Sequence, residues 1–355
     1  MLMRRAFVVA VVLASVGIGC SLALGFDHYS DNVDCSHAIP PAPPNHDNTG
    51  KQLGELVAAF SYMSLEGKDP KGAPIPLGFD LDGICTACPS GVSSCKPLGP
   101  GITPPCDEPG TGRDNAVRPL LDQIKTFLPF NDAVFNGALR QGLFSQLLQI
   151  DGYNGTPDDA QITVAYRNGY ALAADGGAPT LRGDDSWLVE PTSQGLPAYT
   201  VTGYVTGGTL VAKFVAAVPG RDGLHMVWKL PNGQGGTTRL LIALAEATIT
   251  ARVSIGADGR LTLSDGRVGG KLTSSNALEL PRAFGICAGP QFDQTRQLFC
   301  SKADLPNKDG FCDTLSFSFA FEAVPASLGG VLDLPVVSPC GDGGAVPPAP
   351  SCLQQ

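Results

Sequence analysis

From residue 143 to residue 321 the chain runs in short stretches of alternating apolar and polar residues, broken by glycine-containing turns. Residues 314–321 are the clearest: Leu315, Phe317, Phe319 and Phe321 fall on one face, Ser316, Ser318 and Ala320 on the other. A two-residue period of this kind marks a half-buried strand. Residues 144–150 and 162–166 flank Gly152-Tyr153-Asn154-Gly155 and read as a hairpin. The same reasoning predicts strands at 199–205, 209–215, 224–230, 239–253, 260–263 and 267–272, with turns at Gly207-Gly208, Asn232-Gly233, Asp258-Gly259 and Asp265-Gly266. Residues 55–65 are β-prone, with a helix as the alternative, because Ala, Leu and Met also favour helices. We expect 315–321 to pair near 56–65 and bring the two ends of the chain together.

Helical spacing is read at 114–142. Leu120, Leu121, Ile124 and Phe127 recur at three- and four-residue intervals, with Pro119 in the first turn. Asp132 is placed to cap a second short helix ending at Gly142. Many short strands with one or two short helices predict a mainly β fold, an antiparallel β-sandwich of jelly-roll or lectin-like type. No fixed-period repeat and no second core is visible, so residues 53–337 read as a single domain. Within it, 66–112 is rich in Gly, Pro, Cys and Asp without a period, and reads as a disulfide-held loop region.

The ends carry different information. Arg4 and Arg5 precede an uncharged run over residues 6–18, the pattern of a signal peptide too short to span a bilayer comfortably. Gly19-Cys20 matches the end of a lipobox, which predicts a leader of residues 1–19 and lipidation at Cys20. Gly17 stands where a lipobox usually has Leu. Cleavage after Ala23-Leu24-Gly25, giving a simply secreted protein, is the alternative. Residues 20–52 contain Ile39-Pro40-Pro41-Ala42-Pro43-Pro44 and read as a Pro-rich tether. Residues 338–355 form a Gly/Pro-rich tail.

Composition narrows the partners. The 355 residues include 44 Gly and 30 Pro, only 16% are charged, and the net charge is −9. An acidic chain without clustered Lys and Arg is unsuited to nucleic-acid binding. Cysteine usage fits export: either cleavage leaves ten, namely Cys35, Cys85, Cys88, Cys95, Cys106, Cys287, Cys300, Cys312, Cys340 and Cys352. An even number in an oxidising compartment predicts up to five disulfides, whose connectivity spacing does not determine. None lies between 107 and 286, so that stretch must be held by its core.

Several short stretches carry a resemblance: Gly78-Phe79-Asp80-Leu81-Asp82-Gly83-Ile84-Cys85, Gly112-Arg113-Asp114-Asn115-Ala116, Gly152-Tyr153-Asn154-Gly155-Thr156-Pro157-Asp158-Asp159 and Cys312-Asp313-Thr314-Leu315-Ser316-Phe317. Together they resemble secreted, cysteine-rich lipoproteins predicted from myxobacterial genomes. The resemblance implies export and a shared β-rich domain, and it brings no activity and no catalytic residues.

Candidate chemistry is sparse. A nucleophilic triad needs a histidine. The body has one, His225, which alternation places on a strand face; His28, His37 and His46 lie in the tether, beside Asp27, Asp31, Asp34 and Asp47, where a solvated linker is the reading. No G-x-S-x-G elbow occurs. Cys85, Cys88, Cys95 and Cys106 have the residue types of a zinc site, but the second pair is too widely spaced and the compartment favours disulfides.

Calcium is the best-supported ligand. Asp80 and Asp82 flank Leu81 ahead of a turn-permitting Gly83, and Asp114 and Asn115 follow in the same cystine-rich region. Calcium takes six to eight oxygens, which loops supply, and the EF-hand spacing is absent, so the site would be irregular. A second candidate is a ligand rim: Tyr153, Asp158 and Asp159 in one loop, Asp184, Asp185 and Trp187 in another. At one end of a sandwich these would offer carboxylates and an aromatic platform to a neutral carbohydrate. Three functions follow as expectations: an exported, lipid-anchored, non-catalytic envelope protein with a ligand-binding surface, a carbohydrate-active enzyme on a jelly-roll scaffold, or a purely structural surface protein.

Overall fold

The structure is a computed structural model that describes residues 35–45, 50–84, 93–99, 111–125, 128, 130–171, 177–191, 199–215, 223–232, 235–332, 340 and 352–353. The leader, Cys20, Cys85, Cys88 and Cys106 lie outside the described residues. The fold is mainly β, as expected. Twelve strands share one hydrogen-bonded sheet: β1 (Leu56–Ser64), β2 (Ser145–Asp151), β3 (Asp159–Ala171), β4 (Ser186–Val189), β5 (Tyr199–Thr206), β6 (Thr209–Phe214), β7 (Leu224–Pro231), β8 (Thr237–Ile255), β9 (Leu261–Thr273), β10 (Leu305–Pro306), β11 (Cys312–Pro325) and β12 (Ser327–Val331). Every pairing is antiparallel except β12 with β4.

The pairings return on themselves. Thr163 of β3 faces Asp151 of β2 on one edge and Thr202 of β5 on the other. The ring β1, β2, β3, β5, β6, β8, β9, β11 therefore closes, with β11 pairing back to β1 through Met63 opposite Phe321. The expected pairing between the chain's two ends is present. Closure adds something to the sandwich expectation: these eight strands have no free edge, as in a closed barrel.

Side-chain alternation decides what fills the ring. Leu148, Ile150, Val164, Tyr166, Leu210, Ala212, Phe214, Ile249, Val268, Phe317, Phe319 and Phe321 share the inner core. Phe60 stacks on Phe321 at 4.0 Å, and Trp228 of β7 meets the edges of Phe135 and Phe319 at 4.9 and 5.7 Å. Outside the ring, Val57, Ala59 and Leu147 form a second core with Trp187 and Val189 of β4. The outer face of β11 is also covered: Ser316 and Ser318 are buried.

One expected turn is a bulge instead, and an expected strand carries another. Asp265-Gly266 lies inside the continuous strand β9, with Asp265 at φ 50°, and Phe321 packs so close to Gly266 that a Cβ there would sit 2.6 Å from its ring. Glu246, at φ 49°, interrupts β8 in the same way. Bulges add twist, which lets long strands curve around a closed ring.

Helices number four among the described residues, against one or two expected: α1 (Val117–Ile124), α2 (Asp132–Arg140), α3 (Ser274–Ala283) and α4 (Pro290–Cys300). Asn131, not Asp132, caps α2: its side chain accepts from the Val134 N–H at 3.0 Å. Asp132 reaches across to β1, accepting from Ser64 Oγ at 2.6 Å and the Leu65 N–H at 2.8 Å. Three disulfides are described. Cys95–Cys312 ties the loop region to β11, while Cys287–Cys340 and Cys300–Cys352 clip the tail to the α3–α4 region. Cys35 is disulfide-bonded as well.

The Pro-rich segment departs from the tether reading from Cys35 onward. A 3-10 turn, Cys35–Ala38, buries Ala38 completely. The Ala38 carbonyl accepts from the Asp80 N–H at 3.0 Å, the His37 carbonyl from Arg113, and the Pro41 carbonyl from Tyr204 OH at 2.6 Å. Proline-rich backbone lacks amide donors, so it docks through its carbonyls.

Candidate metal centre

The calcium candidates converge. Phe79 and Asp114 form an antiparallel bridge, with the Asp114 N–H donating to the Phe79 carbonyl at 3.0 Å. Gly78 makes this approach possible: its φ is +86°, and a Cβ would lie 2.4 Å from the Asp114 carbonyl oxygen. The chain then turns sharply. The Gly83 N–H donates to Asp80 at 2.7 Å and the Ile84 N–H to Asp82 at 2.7 Å. The Leu81 N–H donates to Asp114 Oδ2 at 2.6 Å, wrapping the turn around that carboxylate. As a result, carboxylate oxygens of Asp80, Asp82 and Asp114 all lie within 4.8 Å of one another.

That spacing has a chemical meaning. Ligands of one calcium ion, held by bonds of about 2.3–2.6 Å, lie no more than about 5.2 Å apart, so three carboxylates this close can share an ion. Asp114 is buried and Asp80 and Asp82 are half-buried, so mutual repulsion is only partly screened by water. Asn115 is buried too, and neither of its amide atoms has a hydrogen-bond partner among the described residues.

One neighbouring carboxyl was absent from the sequence reading. Asp304, just before β10, is buried and accepts from the Ser316 N–H at 2.8 Å and from Ser316 Oγ. Burial pushes its pKa up to about 7; the Ser316 hydrogen bonds oppose the rise, and the charge of Asp82 adds to it. Ser316 Oγ in turn accepts from the Ala116 N–H at 2.7 Å, which fixes the segment carrying Asp114 to β11. Asp304 is separated from Asp114 by 190 positions in sequence, so no local pattern could have paired them.

The carbohydrate rim does not form. Asp159 begins β3, opposite Val205, whereas Trp187 faces Ala171 at the far end of the same strand. Twelve residues of strand separate the two loops by about 40 Å. Trp187 is fully buried and Tyr153 nearly so, its hydroxyl donating to the Thr156 carbonyl at 2.7 Å. The carboxylates are engaged within the fold: Asp159 accepts from the Asn154 N–H, Asp184 from Thr180 Oγ1 and Asp185 from the Leu181 N–H inside their own loops, and Asp158 accepts from the Gly207 N–H of the β5–β6 turn.

His225 is half-buried on β7, its ring 5.2 Å from that of Tyr199. A further polar cluster joins strand ends: Glu190 accepts from both Tyr170 OH and Arg239. Burial raises the Tyr170 pKa, and the Glu190 carboxylate reinforces the rise. Cys95 belongs to a disulfide, as expected, and so is not a zinc ligand. No helix among the described residues is long and apolar enough to cross a membrane. No family model, curated protein or solved structure matches this chain.

Proposed function

We propose that the protein is an exported, lipid-anchored, non-catalytic protein of the cell envelope whose β-barrel binds calcium at Asp80, Asp82 and Asp114. The convergence of those three carboxylates, from two loops 30 residues apart, carries the calcium reading. Three disulfides support export, since such bonds persist in oxidising compartments. The basic and apolar amino terminus and Cys20 support the anchor. The ion's role is structural: it would neutralise a repulsive cluster and hold the 78–84 loop against the segment leading into α1. Calorimetric titration of chelator-treated protein with calcium chloride tests this. Saturable binding of about one ion, lost in Asp82→Asn, is expected. Heat of dilution alone up to millimolar calcium would refute the site.

A further inference from the structure

We propose that the barrel face crossed by the Pro-rich strap lies against the bilayer, with Ile39 and Ile84 entering its interface. The proposal rests on the lipid-anchor reading and adds the orientation and the contact residues. Three observations carry it. The first is the length of the leash and where it ends. Fourteen residues separate Cys20 from Cys35. They span at most about 50 Å. From Cys35 onward the chain is bound to the body, so the anchor pulls on one defined place.

The second observation is where that place lies. The strap meets the 79–80 segment through Ala38 and Tyr204 of β5 through Pro41. Phe79 packs over Gly269 of β9. The strap therefore crosses the outside of the strands between β9 and β5, which are β8 and β6. Val211, on the outward face of β6, is completely buried. In ring order the β1–β2 pair lies across the barrel from β6–β8. That far side carries the second core with β4 and β12, and it faces away from the anchor.

The third observation is apolar exposure beside the attachment point. Ile39 is 57% exposed and immediately follows Ala38; Ile84 is 40% exposed and ends the turn that begins at Asp80. The Asp80–Ala38 hydrogen bond holds these two segments together. Large apolar side chains at an interface add buried area to the hold of a lipid anchor. The leash joins the body at this face and not at the far side, so these side chains are the apolar groups beside the point where the anchor pulls.

Tryptophan quenching by lipids with brominated acyl chains tests the proposal on full-length, lipidated protein in vesicles. Trp187 and Trp228 are both fully buried and provide a constant, unquenched background. Ile39→Trp and Ile84→Trp are expected to add emission that is blue-shifted and mostly lost in brominated vesicles. Val331→Trp, on β12 at a position 67% exposed, is expected to add emission that bromine leaves unchanged. Equal quenching at all three sites, or none at 39 and 84, overturns the orientation. Fractionation of Cys20→Ala separates the two failures. If the variant leaves the membrane while 39 and 84 stay unquenched, the anchor stands and the orientation is wrong. If it distributes as the wild type does, the anchor reading falls and the proposal with it.

Discussion

Ser316 holds both oxygens of the Asp304 carboxyl, one through its backbone N–H at 2.8 Å and the other through Oγ. Because burial raises the Asp304 pKa to about 7, the folded chain keeps this proton where the unfolded chain releases it. The group's contribution is therefore greatest below about pH 4, falls as pH rises toward 7, and is flat above that. The full loss is on the order of 4 kcal/mol. Urea midpoints of wild type and Asp304→Asn, followed from pH 4.5 to 8, check this. The wild type should lose stability relative to the variant across that range. Parallel profiles would show that Asp304 titrates normally.

Asp82 should matter with opposite sign in the two ionic conditions. In chelator, Asp82→Asn removes repulsion from Asp80, Asp114 and Asp304, so the variant should melt no lower than the wild type. With millimolar calcium the wild type gains binding energy that the variant lacks, and the order of melting temperatures should reverse. A variant as stable as the wild type in both conditions, with the same gain on adding calcium, would mean that the Asp82 charge neither repels its neighbours nor binds the ion.

Gly78 is a backbone requirement rather than a spacer. Gly78→Ala places a Cβ 2.4 Å from the Asp114 carbonyl at a φ of +86°. Strain of about 1–3 kcal/mol is expected, with the Phe79–Asp114 bridge pushed apart. Chemical denaturation would measure the first effect. Calcium titration should show weakened affinity from the displacement of Asp114. Unchanged affinity in a destabilised variant would separate the bridge from the site.

Trp187→Ala should fail as a binding mutation and succeed as a packing mutation. The side chain is fully buried against Val57, Ala59 and Leu147. Removing it should cost about 3–5 kcal/mol, read from urea denaturation. A loss below about 1 kcal/mol would mean that β4 packs only loosely on the ring.

Alternation was enough to place most of the ring, because a strand with one dry face must repeat every two residues. It also exposed the 315–321 strand, whose partner near 56–65 is read from β-propensity with a helix as the alternative. Four Asp and Asn positions were marked as one ligand set from residue type and loop context; the structure joins three of them by carboxylate oxygens and buries the fourth beside them. Helix α4 carried a readable signal, Pro290 in its first turn with Phe292, Thr295 and Phe299 buried at helical spacing. Helix α3 offered less, with Ala277, Leu278 and Leu280 among polar neighbours. Closure of the ring, by contrast, depends on β3 pairing β5 across an intervening strand and loop, and no local pattern encodes an edge-to-edge match at that distance. The same holds for Asp304 under Ser316, for the strap docked on Tyr204, and for Trp187, whose turn-like surroundings conceal a fully buried ring. Periodicity reports which face of a segment is dry, a property of neighbouring residues. What covers that face is decided only when segments far apart in sequence compete to bury it.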